Sequence, residues 1–345
     1  MTLNKKITIY DVAKAAGVSR QTVSRVINNR PDVASDTREK IQQVMKEFNY
    51  QPSAIAQSLS RQKSNLFGVV TAGLDYLGPS KTLSGITQKA EEMGYGLLLK
   101  ELASFTNKDV QPLFQWFQSH QVEGILWAAP EIEDNRNWLK DLLEENDIPI
   151  IFLTMEKREN VSSVSIDNYK GGRLATEHLI EQGCRKIGHI SGPLEWWEAR
   201  QRKQGWKDAL TEAGLSVSDH LCFEGNWSSK SGKKAFLQMI KQDPEIDGVF
   251  AGNDQMGLSV LQAVNEMGKK VPDDIKVVGF DNLPESEYFL PPLTSVHQDQ
   301  QKAAIAAVEE LARISELDFQ GLETIAPKTI LIEPTLIIRR SSLNS

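Results

Sequence analysis

Two cysteines in 345 residues, Cys184 and Cys222, stand in unrelated contexts. With no Cys-x-x-Cys pair, neither a disulfide framework nor a zinc site follows, and both are read as free thiols. The five histidines, His120, His178, His189, His220 and His297, are scattered without metal-ligand spacing, so no metal site is expected. No stretch approaches the roughly 20 apolar residues of a membrane span. The chain opens on the polar run Met1-Thr-Leu-Asn-Lys-Lys rather than on a secretory leader, which predicts a cytoplasmic protein with no membrane partner. Enzyme signatures are missing as well: there is no Gly-x-Ser-x-Gly elbow, phosphate loop, Gly-x-Gly-x-x-Gly fingerprint or His-Glu-x-x-His pair. A protein that is not an enzyme and needs no cofactor is the reading these absences leave.

Net charge is the second scarcity. At −7 the chain as a whole repels a polyanion, but the average hides a split. Residues 1–64 hold 11 lysines and arginines against 5 acidic residues, leaving 28 against 41 in the remainder. Only the N-terminal segment has the electrostatics of a DNA module, although a basic segment alone is more often a solvated face.

The length fits two or three domains. Residues 7–50 show three short helical patterns and no strand-like run, and Gln51-Pro52 breaks the helical path. Residues 53–61 form a small-residue, helix-capable stretch, read with 62–65 as hinge and linker. Beyond Leu66, apolar runs at 66–70, 96–99, 124–127, 148–153, 187–190, 248–251 and 275–280 alternate with amphipathic segments at 84–93, 110–119, 171–182, 201–213, 230–241 and 256–267. Such alternation predicts an α/β core of doubly wound parallel sheets, too many elements for one sheet and hence two lobes with a ligand cleft.

The run from Thr8 to Ile27 has the spacing that two tightly crossing helices require. Thr8 is placed to cap the first, with Asp11 three residues on. Ala13 leaves room for the crossing, Gly17 takes the left-handed turn, and Ser19 caps the second helix. Val12, Val18, Val23 and Val26 point inward, joined by Ile41, Val44 and Phe48 of a third helix over 35–48. The outward face of the second helix offers Arg20, Gln21, Ser24 and Arg25, with Thr22 near its start and Asn28 near its end. These types suit base edges and phosphates, Arg pairing with guanine and Gln with adenine.

Tyr10-Asp-Val-Ala, Ala16-Gly-Val-Ser, Thr22-Val-Ser-Arg-Val-Ile-Asn28, Thr37-Arg-Glu-Lys and Asn49-Tyr-Gln-Pro52 closely resemble the headpiece of the LacI family of bacterial regulators. The resemblance runs over nearly the whole chain, through Gly205-Trp206, Gly252-Asn-Asp-Gln-Met256, Val278-Gly-Phe-Asp281 and Pro291-Pro-Leu-Thr294. It implies a helix-turn-helix headpiece (1–52), a hinge helix and linker (53–65), and a two-lobed core resembling periplasmic sugar-binding proteins (66–345). The lobes are expected at 66–166 with 296–328 and at 167–295 with 329–345. It also implies a repressor of operator DNA, with Arg20, Gln21 and Arg25 at base-reading positions. Ala56 and Leu59 are assigned to hinge contacts, Leu59 matching the leucine that wedges into the minor groove.

For the effector, the resemblance points to Arg202, Asn253 and Asp281, whose guanidinium, amide and carboxylate suit vicinal hydroxyls. Trp227 matches an aromatic flanking the ligand, and Gln298 stands at the rim. Asn253 and Asp254 are also candidate caps of the following helix, and Trp196 and Trp197 fit a loop or core role as readily as a ligand role. Thr154 departs from the family's namesake, which has an aspartate there. A small carbohydrate is the implied effector. The alternatives are a nucleobase corepressor or a phosphoprotein partner within the family, or a sugar-binding protein that does not bind DNA. The polar tail 339–345 is too short for the extra C-terminal helix through which the namesake tetramerises, so a homodimer is expected.

Overall fold

The computed structural model describes residues 7–52, 63–105, 109–320 and 326–343. They fall into two compact units, Met1–Leu66 with Gln121–Glu123, and Phe67–His120 with Gly124–Ser345.

The first unit holds three helices, α1 (Ile9–Ala16), α2 (Arg20–Ile27) and α3 (Ser35–Glu47). Asp11 Oδ2 accepts hydrogen bonds from the Thr8 backbone N (2.9 Å) and Oγ1 (2.7 Å), closing the start of α1. Gly17 ends it at φ 67°, a conformation that costs a residue with a Cβ far more. Ser19 Oγ then accepts from Thr22 N at 3.0 Å and starts α2. Val12, Ala16, Val23 and Ile41 are fully buried in the small core. Phe48, expected there, is instead exposed: α3 stops at Glu47, and Met45 and Tyr50 pack against the cluster in its place.

The core of the second unit is a pair of six-stranded sheets. Its elements run β1 (Leu66–Ala72), α4 (Leu77–Glu92), β2 (Gly96–Leu102), α5 (Gln111–Ser119), β3 (Gly124–Trp127), α6 (Leu139–Glu145), β4 (Ile150–Leu153) and β5 (Ser162–Ile166). Then follow α7 (Asn168–Glu181), β6 (Ile187–Ser191), α8 (Trp197–Glu212), β7 (Cys222–Glu224), α9 (Ser229–Gln242), β8 (Gly248–Ala251), α10 (Asp254–Glu266), β9 (Lys276–Phe280), β10 (Thr294–His297), α11 (Gln300–Phe319), β11 (Thr329–Ile332) and β12 (Thr335–Ile337). The first sheet is ordered β11-β5-β4-β3-β1-β2 and the second β12-β10-β9-β8-β6-β7. Parallel pairing dominates, with Phe67 opposite Gly124 and Gly248 opposite Lys276, and β12 runs antiparallel to β10. The doubly wound, two-lobed α/β fold expected from the alternation is therefore the fold observed.

Two lobe boundaries need correction. Residues 329–332, assigned to the second lobe, pair with β5 in the first sheet, Thr329 opposite Ser163. Residues 296–297, assigned to the first lobe, belong to β10 and pair with β9 and β12. The apolar run 329–338 is split at Glu333-Pro334, where proline has no N–H to continue a ladder, so each half joins a different sheet. The chain thus crosses between lobes after β5, after β10 and after β11.

Within the second lobe, α7 and α8 approach closely because neither carries a side chain at the crossing. A Cβ on Gly172 would lie 2.3 Å from the Arg202 carbonyl oxygen, and one on Gly205 would lie 2.2 Å from that of Tyr169. This contact fixes the segment of α8 that bears Arg202. No helix among the described residues is long and apolar enough to cross a membrane.

Candidate functional site

Two places concentrate chemistry. On α2, Arg20, Gln21 and Arg25 are exposed, while Thr22, Ser24 and Asn28 are half-buried along the same helix. Ser19 and Thr22 share a hydroxyl contact of 2.9 Å, and Asn28 Nδ2 reaches Ser24 Oγ at 3.4 Å. The face is less free of acid than the helix alone indicates, since Asp32 beyond it pairs with Arg25 at 3.5 Å. Arg38 of α3, not singled out from sequence, donates to Asn29 Oδ1 (3.1 Å) and the Arg30 carbonyl, bracing the turn after α2. Ala56 and Leu59 lie outside the described residues.

The second place is a cleft of about 840 Å³, open to solvent, lined by both lobes. Ala128, Thr154, Asn253, Asp281 and Gln298 lie just past the carboxyl ends of β3, β4, β8, β9 and β10, the end of a parallel sheet where ligands bind. The structure brings together all five sequence candidates: Arg202, Trp227, Asn253, Asp281 and Gln298 line one cleft.

Arg202 is its centre. The side chain is buried, and its guanidinium lies 3.7 Å from the centroid of the Phe280 ring and 5.4 Å from that of Trp227. Nε donates to Asn168 Oδ1 (2.8 Å), Nη1 to the Gly252 carbonyl (2.5 Å), and Nη1 stands 4.0 Å from Asp281 Oδ1. Burial lowers the Arg202 pKa and raises that of Asp281, and each charge opposes the shift of the other. Gln298 Nε2 donates to Asp281 Oδ1, orienting the carboxylate.

Asn253 has two tasks. Its Oδ1 accepts from Met256 N at 2.9 Å and caps α10, while Nδ2 donates to the Trp227 carbonyl (2.9 Å) and Gln255 Oε1 (3.1 Å). Asp254 is not the cap. It is fully buried behind the cleft and accepts from Leu283 N (2.7 Å), Ser286 Oγ (2.6 Å) and Ser295 Oγ (2.6 Å). Burial and the nearby Asp281 nonetheless raise its carboxyl to about 7. Of the two adjacent tryptophans, Trp196 lines the cleft and Trp197 does not. Trp196 meets Tyr76, Phe105 and Trp227 edge-on at 5.4, 5.0 and 6.0 Å.

Sequence reasoning passed over Asn168 and Glu198. Glu198 had a readable signal, since it precedes Arg202 by four residues and so shares its helix face. Asn168 had none: the residue it holds is 34 positions away.

Residues 8–53 match the family model for bacterial regulatory proteins of the lacI family, and residues 176–342 that for a periplasmic binding protein-like domain. The chain is 33% identical over 337 residues to the HTH-type transcriptional repressor PurR of Mannheimia succiniciproducens, covering 97% of this chain and 98% of that one. It is 32% identical over 313 residues to the lactose operon repressor of Escherichia coli K12, covering 90% and 86%. Among solved structures, the lac repressor dimer bound to operator and the anti-inducer ONPF superposes with a TM-score of 0.85 at 31% identity, over 99% of this chain and 100% of that one. A complex of the transcriptional regulator CelR with cellobiose gives 0.69 at 31%, over 97% and 99%. Resemblance along the whole length, on a headpiece and core of matching architecture, makes this chain a member of the LacI family of DNA-binding transcriptional repressors.

Proposed function

We propose that this repressor acts as a homodimer whose operator affinity is set by a carbohydrate held in the cleft. The observation that carries the reading is the juxtaposition of Arg202 and Asp281, 4.0 Å apart with Asn253 and the Trp227 ring on the same wall. A guanidinium, a carboxylate and an amide offer donors and acceptors to neighbouring hydroxyls, and the indole offers a surface to the apolar side of a sugar ring. The cellobiose complex of CelR supports it. A nucleobase corepressor is the second reading, because the Trp227 ring also suits a flat heterocycle and its Nε1 has no hydrogen-bond partner within the protein.

On DNA, Arg20, Gln21, Thr22, Ser24, Arg25 and Asn28 enter the major groove, and Ala56 and Leu59 contact the minor groove, as the family resemblance implies. The exposed Leu258, Tyr288 and Leu290 of the second lobe are offered to a second copy of the chain. Next to the cleft the lobes share backbone hydrogen bonds, Glu133 N to the Glu195 carbonyl (2.9 Å) and Trp197 N to that of Glu131 (3.0 Å). A ligand that binds one arrangement of the lobes more tightly shifts the population, and with it operator affinity.

The test is a mobility-shift titration on a palindromic duplex selected from random DNA, with cellobiose, glucose 6-phosphate or hypoxanthine added. Arg20→Ala or Gln21→Ala is expected to weaken specific binding by about 1–3 kcal/mol, with light scattering at about twice the chain mass. A sugar, not hypoxanthine, should move the curve. Unchanged affinity in both variants removes the recognition assignment, and a response to hypoxanthine alone transfers the effector to the second reading.

A further inference from the structure

The cleft is one-sided in charge. Among its described lining residues Arg202 is the only cation, while Glu198 and Asp281 are carboxyls. Arg202 is already engaged by Asn168, the Gly252 carbonyl and Asp281. The other cations near these carboxyls do not line the cleft: Arg200 is turned onto the Leu194 and Glu195 carbonyls (3.1 and 2.8 Å), Arg136, whose charge also reaches Glu198, is held by the Asn135 (3.3 Å) and Ala129 carbonyls, and Lys81 acts on Asp281 from outside the lining.

Glu198 is engaged less fully: its own backbone N–H hydrogen-bonds to the carboxyl, and the Arg202 and Arg200 charges act on it. It lies in the first turn of α8, only 9% exposed, and its Oε2 has no hydrogen-bond partner within the protein. A buried acceptor without a donor is rare in native structures, and it points to a partner that arrives from outside. The orphaned Trp227 Nε1 in the same cleft completes a complementary set, one donor and one acceptor. A hydroxyl satisfies either, whereas a phosphate dianion or a carboxylate satisfies the indole but has no hydrogen to give the ionised Glu198 carboxylate.

We propose that Glu198 is a specificity-determining residue, taking a hydrogen bond from a hydroxyl of an uncharged sugar and turning away phosphorylated or carboxylated ligands. The inference rests on the carbohydrate reading above and narrows it. Burial pushes the Glu198 carboxyl up to about 7, so near neutrality it meets a sugar either as acceptor or, protonated, as donor to a sugar oxygen. In neither state does it supply the positive charge that a phosphate dianion needs. The cleft would hold such a dianion against two carboxyls with one occupied guanidinium.

Calorimetry on the full chain with matched pairs, glucose against glucose 6-phosphate and cellobiose against its 6′-phosphate, tests this directly. The neutral member of the pair that binds should be favoured at least tenfold. Glu198→Gln, which keeps the shape and removes the charge, should narrow that preference about tenfold, chiefly by gain in the phosphorylated sugar. Glu198→Ala should lose about tenfold for the neutral one. Melting curves check that both variants fold, and the wild-type preference decides the matter if either does not. A phosphorylated sugar bound as tightly as its parent by the wild type overturns the inference and leaves the carbohydrate reading standing. Binding of hypoxanthine with none of the four sugars overturns both.

Discussion

The two walls of the cleft are built differently. The second-lobe wall holds every charged lining residue among those described, Glu198, Arg202 and Asp281, together with Asn253 and Trp227. The first-lobe wall is mainly apolar, with Leu77, Pro79, Ala128, Leu153, Val164 and Ile166, and its polar side chains, Tyr76, Thr82, Thr154 and Gln300, carry no formal charge. One wall is held by hydrogen bonds before any ligand arrives, and the other presents apolar area. The difference teaches where recognition and closure reside. Polar groups fixed in a single arrangement read a ligand at low ordering cost, while an apolar wall gains from contact without demanding orientation. On the function proposed above, a ligand bound to the rigid wall would favour the lobe arrangement that brings the apolar wall onto it.

The sharpest way to break this comparison is to remove the centre of the polar wall. Arg202→Ala leaves Asp281 largely buried without its cation and strips the guanidinium from the Phe280 face. The expected loss is about 3–5 kcal/mol of folding free energy, the typical cost of breaking one side of a buried pair. Urea denaturation of the full chain measures it, and adding Asp281→Asn should restore part of the loss. A cost below about 1 kcal/mol would mean that the wall is not organised around this pair.

Behind the polar wall, the second lobe buries a histidine as well. His189 on β6 stacks against Phe250 and Trp206, with centroids 4.5 and 5.7 Å away, and its Nδ1 donates to the Phe250 carbonyl at 3.0 Å. Burial lowers its pKa from the ordinary histidine range to about 3. The folded protein therefore holds it neutral where the unfolded chain takes up a proton. Its contribution is fully present above pH 6.5 and is lost as pH falls from there toward 3. Between pH 7 and pH 5 that amounts to about 2 kcal/mol. His189→Phe should flatten this part of the stability profile in melts at the two pH values. Equal slopes in wild type and variant would show that His189 does not titrate on unfolding.

How much of this was readable from sequence follows from the span of the contacts. The headpiece was legible because its determinants are local: Thr8 with Asp11, Ser19 with Thr22, and Gly17 between the helices all act within a few residues. In the cleft, the resemblance to known regulators located Arg202, Asn253 and Asp281. The residues that hold them were invisible where the partner lies far along the chain, as Asn168 does from Arg202. Helix α11 escaped for another reason. Its buried face is largely alanine, Ala303, Ala304 and Ala307 with Val308 and Leu311, so the apolar periodicity has little contrast although the helix is twenty residues long. Strands β11 and β12 lie in one apolar stretch, 329–338, with no polar loop to separate them, and Pro334 divides it between two sheets.

The smallest effect tests the apolar wall. Thr154 follows β4 at φ 58°, the left-handed region, which a β-branched residue occupies at a cost of order 1 kcal/mol or more. Its backbone is pinned there, Thr154 N donating to the Val164 carbonyl (3.2 Å) and the Thr154 carbonyl accepting from Glu131 N (3.3 Å). Asparagine tolerates this conformation far better, so Thr154→Asn should stabilise the chain by about 0.5–1 kcal/mol, a rise of about 1 °C in Tm for a chain of this length. A fall in Tm would show that the threonine side chain makes contacts outweighing its strain. The same variant sharpens the comparison of the walls. If the second lobe alone reads the ligand, an amide at position 154 should change affinity less than threefold, whereas a larger change would make the first lobe a reader too.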